Sequence, residues 1–505
     1  MATEGEMGVT VTDFPDPRTT DHVIYGPSFD DLRAFSADQE TTTEYGSPAY
    51  VTDYHSRSSD STRNDIDHEF DAADYAVVEE GLDAVREGER EFVCVDRRVG
   101  RHPESSYVCR LFVPKPHARI ALAWAKLLDP VEGDPDPDFV TVQLPDRDEP
   151  SIRALIDEGV TVVLGSDYTG EAKKSFLRLF MRRAKEQGGL GLHAGSKRIH
   201  LDDEDGDARD VGQLFLGLSG TGKSTLTSHG LWLDDPEYAE AVQDDVCALL
   251  PDGTVAGSEG GGLYIKTLGL DPGEQPELYS AATAEDAVLE NVVVADDGAV
   301  DFDDDTLSGN ARAVVTREQV DGAAEGIDLE RVDQLFFITR HPLVPPLARL
   351  SPEQAAAAFM LGESAQTSAV DPSAAGETVR VVGTNPFIVG PEGAEGNRFR
   401  DLVDDLDISC YLLNTGEVGT GDPRNVSVEE TVALLTAVAR GEVAWTDDPT
   451  VGLTVATDAP GVDLADIQVT DRVDDPAEFD AVRSDRRDHL AAFDELDDRV
   501  LDAVY

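Results

Sequence analysis

A mixed α/β fold is predicted for this chain, and three observations carry that prediction. Residues 211–216, Val211-Gly212-Gln213-Leu214-Phe215-Leu216, read as a buried strand, and 225–233 has the pattern of a helix start. Between them Gly217-Leu218-Ser219-Gly220-Thr221-Gly222-Lys223-Ser224-Thr225 spells G-x-x-x-x-G-K-S, so strand, glycine loop and helix follow in order. Second, strand-like runs at 91–95, 107–113, 139–144 and 160–164 share the first half with helical stretches at 118–128 and 170–186. Third, a buried strand at 335–339 and a helix from 351 to 361 continue the mixture after the loop.

Along the chain, residues 1–35 are polar and proline-bearing and are expected to form an extended arm. Residues 36–201 are expected to form an N-terminal domain. Its helix at 170–186 has Phe176, Leu177, Leu179 and Phe180 as its apolar side, and Asp134-Pro135-Asp136-Pro137-Asp138 reads as a solvated loop. The acidic run beginning at Asp202 is expected to be a linker, 202–210, and 211–505 a C-terminal nucleotide-binding domain. Ser351-Pro352-Glu353-Gln354 is a helix start, with a serine cap, proline in the first turn and glutamine placed to cap in return. Residues 364–377 are small and polar and read as a mobile loop. Leu490, Phe493, Leu496, Val500 and Val504 recur at helical spacing, predicting one C-terminal helix.

A length of 505 residues predicts two or three domains. The net charge of -61 excludes a nucleic-acid binder, because phosphates would be repelled. Of 41 basic residues only eight are lysine: Lys115, Lys126, Lys173, Lys174, Lys185, Lys197, Lys223 and Lys266. Such an acid-rich, lysine-poor surface fits a halophilic protein, since molar salt shortens the Debye length to about 3 Å and screens self-repulsion. The lysines that remain are expected to do what arginine does not, such as give up a proton. Cys94, Cys109, Cys247 and Cys410 have no C-x-x-C spacing, which argues against a disulfide framework or zinc site. No N-terminal apolar segment and no run of 18 apolar residues is present, so a cytoplasmic, soluble chain with no membrane partner is expected.

The loop has a physical reading of its own. Its glycines let backbone N–H groups close on phosphate oxygens, Lys223 reaches the outer phosphates, and Ser224 holds a magnesium ion.

Further motifs extend the reading. Gly217–Leu226 is similar to G-L-S-G-T-G-K-T-T-L, with serine after the lysine. Tyr168-Thr169-Gly170-Glu171-Ala172-Lys173-Lys174 resembles Y-A-G-E-M-K-K, and Leu192-His193-Ala194-Gly195-Ser196 resembles M-H-C-S-A. Asp244-Asp245 stands where an acidic pair follows the loop. Gly261-Gly262-Leu263-Tyr264-Ile265-Lys266-Thr267 resembles G-G-C-Y-A-K-T, and Leu307-Ser308-Gly309-Asn310-Ala311-Arg312 resembles L-T-E-N-T-R. Ser56-Arg57-Ser58 resembles G-R-S, Pro345-Pro346 with Ser351–Ala355 resembles L-P-P followed by L-T-P-E-Q, and Asn414-Thr415-Gly416 resembles N-T-G. Together, in this order, these resemble the ATP-dependent phosphoenolpyruvate carboxykinase family.

The resemblance implies a two-domain carboxykinase-like architecture with the phosphate loop in the C-terminal domain. It implies conversion of oxaloacetate and ATP to phosphoenolpyruvate, carbon dioxide and ADP; a monomer is expected. It places Mg2+ with ATP at Ser224 and a second ion, Mn2+, on Lys174, His193 and Asp245. A lysine ligand must lose its proton, and moving its pKa from about 10.4 towards 7 costs about 4–5 kcal/mol, which an adjacent divalent cation supplies. By the same resemblance Arg57 and Tyr168 contact the substrate carboxylate or departing carbon dioxide, and Arg312 bridges substrate and γ-phosphate. Lys173 touches phosphate or substrate, and Lys266 contacts the phosphate side. Asn425, Val426 and Thr431 fall on the adenine-side positions.

The chain also departs from that pattern. Where the family has T-D-A-F-G-V-L-P-P, this sequence has Thr339-Arg340-His341-Pro342-Leu343-Val344-Pro345-Pro346, so an arginine replaces an acid. Gln275 replaces a glutamate. Asparagine stands at 425 where an arginine is usual, and Arg424 lies one residue earlier. Two other functions share the phosphate loop: a kinase of the same fold acting on another substrate, and a catalytically silent nucleotide-binding regulator.

Overall fold

The computed structural model describes residues 8–56, 58–202, 208–273, 275–365 and 377–505. The chain divides into two units, Met1–Arg183 with Ser258–Asp321, and Ala184–Gly257 with Gly322–Tyr505. Both mix strands and helices, as the sequence predicts.

The first unit is built on an eight-stranded sheet. Its order is Val23–Tyr25, Phe92–Val99, Tyr107–Pro114, Phe139–Leu144, Val160–Leu164, Ser151–Leu155 and Thr62–Asn64, with Asp129–Pro130 added beside Phe92–Val99. Asp71 caps the helix Ala72–Glu87 by accepting from the N–H groups of Ala73 and Asp74, and Gly88 ends it at φ 70°. Val78, Leu82 and Val85 form its buried face. A Cβ at Gly81 would stand 2.6 Å from the Val162 methyls, so this glycine sets how closely helix and sheet approach. Helix Thr169–Glu186 carries Lys173 and Lys174, and its Phe176 packs on Trp124 of helix Ala118–Leu127 with ring centroids 4.9 Å apart. A second, five-stranded sheet orders Gly262–Lys266, Arg312–Thr316, Val288–Glu290, Pro48–Tyr50 and Glu40–Thr42.

The second unit has its own eight-stranded sheet. The order is Tyr238–Gln243, Ala194–Asp202, Ala208–Gly217, Gln334–Thr339, Ser409–Asn414, Leu347–Leu350, Leu453–Asp458 and Ala444–Asp448. Ala208–Gly217, Gln334–Thr339 and Ser409–Asn414 run parallel. Their register lines up Phe215, Phe336 and Tyr411, whose rings stack at 5.4 and 5.1 Å and form one side of the core. Helix Pro352–Leu361 has the predicted capping box between Ser351 and Gln354 and stops at Gly362, φ 46°. Among the described residues no helix is long and apolar enough to cross a membrane. All four cysteines are buried free thiols.

Four sequence expectations need correction. Residues 8–35 are not an extended arm: Val23–Tyr25 pairs in parallel with Phe92–Cys94, Phe29–Phe35 is helical, and Phe14 and Val23 are buried. Apolar residues spaced through a polar segment supplied enough burial to dock it; residues 1–7 lie outside the described residues. The acidic run is not a boundary. Ala194–Asp202 and Ala208–Gly217 pair antiparallel up to it, with Asp202 opposite Ala208, so 203–207, themselves outside the described residues, connect two strands of one sheet. The unit divisions fall at 183/184, 257/258 and 321/322 instead. The helix after the loop is Lys223–Ser228, not 225–233, because Leu231 and Trp232 take positive φ (58° and 50°). The C-terminal apolar series is split between helices Ala477–Leu490 and Asp498–Asp502, with Glu495 at φ 68° between them. The expected loop at 364–377 lies mostly outside the described residues; Glu363–Ala365 and Thr378–Arg380 pair as strands on either side.

Candidate functional site

In the second unit the glycine loop springs from the carboxyl end of Ala208–Gly217. Gly217 is held close: a Cβ there would stand 2.5 Å from Thr221 Oγ1 and 3.1 Å from Ile338 Cβ. Gly220 and Gly222 take φ values of 82° and 103°, which a side chain would strain. Thr221 is buried and its hydroxyl donates to the Leu218 carbonyl at 2.8 Å, bracing the loop from beneath. Leu218 is half-buried, and Ser219, Gly220, Ser224 and Thr225 are exposed. Lys223 opens the helix, half-buried. The loop therefore presents backbone, lysine and hydroxyls outward over a fixed base.

The acidic pair lies beside it. Tyr238–Gln243 is an edge strand, and Asp244 and Asp245 follow its last residue. The Ser224 hydroxyl donates to Asp244 Oδ2 at 3.2 Å. Asp245 Oδ1 lies 3.0 Å from His193 Nε2. His193 joins the strands Leu190–Leu192 and Ala194–Asp202, and its Nδ1 stands 2.6 Å from the Thr384 carbonyl oxygen. A carbonyl only accepts, so Nδ1 carries the proton and donates. With Nδ1 the donor, Nε2 faces the Asp245 carboxylate, as a second N–H in the charged ring or as a lone pair in the neutral one. Two acceptors at that distance need a proton or a cation between them. The donor chemistry fits a divalent metal, with a backbone carbonyl fixing the tautomer as at many histidine–metal sites. Among the described residues no three His, Cys, Asp or Glu side chains cluster as a metal site.

The proposed adenine-side residues are in the same unit. Val426 N–H donates to the Gly416 carbonyl at 2.9 Å, and Asn425 is exposed at the end of Arg424–Asn425. Thr431 is buried within helix Val428–Arg440, its hydroxyl donating to Ser427. Arg424 is committed elsewhere, to both carboxylate oxygens of Glu430 at 2.7 and 2.8 Å and to Asp466 at 2.6 Å.

The first unit gathers a cationic cluster around Tyr264. Lys173 Nζ lies 5.3 Å and Arg312 Cζ 5.4 Å from its ring centroid. Tyr168 packs on the same ring at 6.4 Å. Asn310 links the group, donating to the Tyr168 hydroxyl at 3.2 Å and accepting from Arg312 at 2.8 Å. Lys266 stands opposite Arg312 in the strand register. Burial first, and Arg312 second, push the Lys266 pKa down. Lys173 is buried in an ion pair with Glu259 at 2.9 Å. Lys174, next on the helix, is half-buried. Arg57 lies outside the described residues; its neighbour Ser58 donates its N–H to Glu171 Oε1 at 2.5 Å, tying that segment to the helix of the two lysines.

Tyr264 and Asn310 sit inside quoted motifs, so their positions were visible, though nothing in the sequence gave them a task. Thr384, nearly 200 residues beyond His193, had no signal at all.

The family model of phosphoenolpyruvate carboxykinase matches residues 40–465. The phosphoenolpyruvate carboxykinase (ATP) of Aeropyrum pernix is 40% identical over 375 residues, 74% of this chain and 75% of that protein. The protein of the same name from Rhizobium rhizogenes is 30% identical over 331 residues, 63% of this chain and 58% of its own length. Phosphoenolpyruvate carboxykinase (ATP) 2 of Salinibacter ruber is 30% identical over 361 residues, 68% and 63%. The matched region thus spans three quarters of the first of these proteins and under two thirds of the other two. With 426 consecutive residues under the family model, the chain belongs to the phosphoenolpyruvate carboxykinase family.

Proposed function

We propose that this chain decarboxylates oxaloacetate and transfers the γ-phosphoryl group of ATP to the resulting enolate, giving phosphoenolpyruvate, carbon dioxide and ADP. One observation carries the reading beyond family membership. Ser224 reaches Asp244, and His193 reaches Asp245, so adjacent acids tie the glycine loop to a metal-competent histidine. The His193–Asp245 pair supports a cation site beyond the nucleotide's own.

The roles follow from chemistry. The loop N–H groups of Gly217–Gly222 and Thr225 and the Lys223 ammonium hold the triphosphate and offset charge as the γ-phosphoryl group leaves ADP. Asn425, Val426 and Thr431 bound the adenine. Arg57, Tyr168 and Arg312 orient the oxaloacetate carboxylates, and Lys173 and Lys266 add positive charge toward the transferring group. His193, Asp245 and Lys174 are the proposed donors to Mn2+, and Ser224 the donor to the Mg2+ that accompanies ATP. Bound there, divalent cations supply positive charge at the enolate oxygen and the phosphates. The acid-rich, lysine-poor composition supports the further reading that the protein works in the cytoplasm of a salt-adapted cell.

The test is direct. The protein in molar KCl, given oxaloacetate, ATP, Mg2+ and Mn2+, is expected to make phosphoenolpyruvate. ATP binding without product would reject the carboxykinase reading in favour of a silent nucleotide-binding protein, and phosphorylation of a different acceptor would favour a kinase.

A further inference from the structure

Arg340 follows the last residue of the strand Gln334–Thr339. On one side this strand runs parallel to the loop strand, with Ile338 opposite Gly217; on the other it runs parallel to Ser409–Asn414, with Thr339 opposite Asn414. The glycine loop, Arg340 and Thr415-Gly416 therefore leave the carboxyl edge of one sheet side by side. That edge is where open α/β sheets take their ligands. The three segments are also bonded together. Thr415 N–H donates to the Thr339 carbonyl at 2.9 Å, and its hydroxyl donates to the loop carbonyl of Thr221 at 2.7 Å. A Cβ at Gly416 would stand 2.9 Å from Arg340 Cβ, so the absence of a side chain there makes room for the arginine.

The backbone of Arg340 is fixed: its N–H donates to Ser364 Oγ at 3.0 Å and its carbonyl accepts from Ala365 at 2.9 Å. The side chain has no such anchor. Its Nε is buried with no hydrogen-bond partner. Burial alone shifts its pKa, downward, with no carboxylate opposing it. By contrast, Arg380 and Arg486 of this unit pair with Glu363, and Arg400 with Asp401 and Asp497. In a chain with 102 acidic residues, a half-buried guanidinium without an acid is set aside for an anion the protein does not supply.

We propose that Arg340 is a polyphosphate contact of the nucleotide, a cation added at a position where the family motif carries an acid. This rests on the loop being a nucleotide site. The guanidinium donates to phosphate oxygens beyond the first, so it discriminates ATP and ADP from AMP, and it does not act on the base.

Binding of ATP, ADP and AMP is to be measured by calorimetry in molar KCl for the natural chain, Arg340→Met and Arg340→Lys. Loss of a charge-assisted contact predicts ATP binding at least about tenfold weaker in Arg340→Met, AMP binding unchanged, and partial recovery in Arg340→Lys. AMP binding by each variant reports that its site is folded. An Arg340→Met variant with the natural ratio of ATP to AMP affinity overturns the contact alone. An unaltered chain that binds no ATP overturns both the contact and the nucleotide reading beneath it.

Discussion

Lys197 donates from its strand to the carbonyl oxygen of Leu226, at 2.5 Å, in the last turn of the helix that begins at Lys223. The same ammonium nitrogen meets the carbonyl of His229, also at 2.5 Å, so one buried lysine caps the far end of the loop helix. Complete burial pulls its pKa down from 10.5 to about 7. The folded pKa lies below the unfolded one. Between them the unfolded chain holds a proton that the folded chain has released, so stability rises with pH from about 7 towards 10.5, by at most about 1.4 kcal/mol per unit. Urea unfolding at fixed molar salt is expected to show the natural chain gaining on Lys197→Met between about pH 7 and pH 9. Parallel stabilities over that range would mean Lys197 stays charged in the fold.

The His193–Asp245 pair makes a prediction about metal. His193→Gln removes the nitrogen facing Asp245 Oδ1 and is expected to weaken Mn2+ binding at least about tenfold, followed by electron paramagnetic resonance of the free ion. An unchanged titration would take the histidine out of the ligand set.

Glu363 predicts where the second unit is fragile. It is buried against Arg486 at 2.5 Å and Arg380 at 2.6 Å, with His341 at 3.8 Å. Burial pushes its pKa up, but Arg486, His341 and Arg380 together outweigh that and hold it at about 2. Its contribution is therefore full above the ordinary glutamate pKa of 4.5 and is lost as pH falls towards 2. Glu363→Gln leaves the buried Arg486 guanidinium without an acid, while Arg380 keeps Asp485 at 2.6 Å, and is expected to cost about 3–5 kcal/mol at neutral pH. A midpoint in urea equal to that of the unaltered chain would contradict this.

The charge of -61 predicts a dependence on salt. In dilute buffer self-repulsion is unscreened and the melting temperature is expected to drop well below its value in molar KCl. A melting curve that does not move with salt would argue that the acidic surface is not an adaptation to it.

Much of this was legible in the sequence because the signals are local. The loop needs glycine at 217, 220 and 222 for reasons of contact and φ, and the strands at 139–144 and 160–164 are rich in β-branched and apolar residues and buried on both faces. The helix start at Ser351 lies within four residues. What escaped is set at long range. Charge made 202–210 look like a linker, yet the two strands flanking it pair across nine positions, a fact no composition reveals. Helical spacing joined Leu490 to Val504, but Glu495 in the left-handed region breaks the run. At the site, the residue types of His193 and Asp245 were readable, whereas the Thr384 carbonyl that orients the histidine belongs to backbone and carries no side-chain signature.

In the proposed reaction, phosphoryl transfer from ATP is coupled to the decarboxylation of oxaloacetate. ATP labelled on the γ-phosphoryl group, supplied with oxaloacetate, Mg2+ and Mn2+ in molar KCl, tests it most directly. One labelled phosphoenolpyruvate is expected for each ADP formed, with both falling by at least about a hundredfold in Lys223→Ala. ADP appearing with labelled inorganic phosphate and no labelled phosphoenolpyruvate, or undiminished transfer in Lys223→Ala, would contradict it.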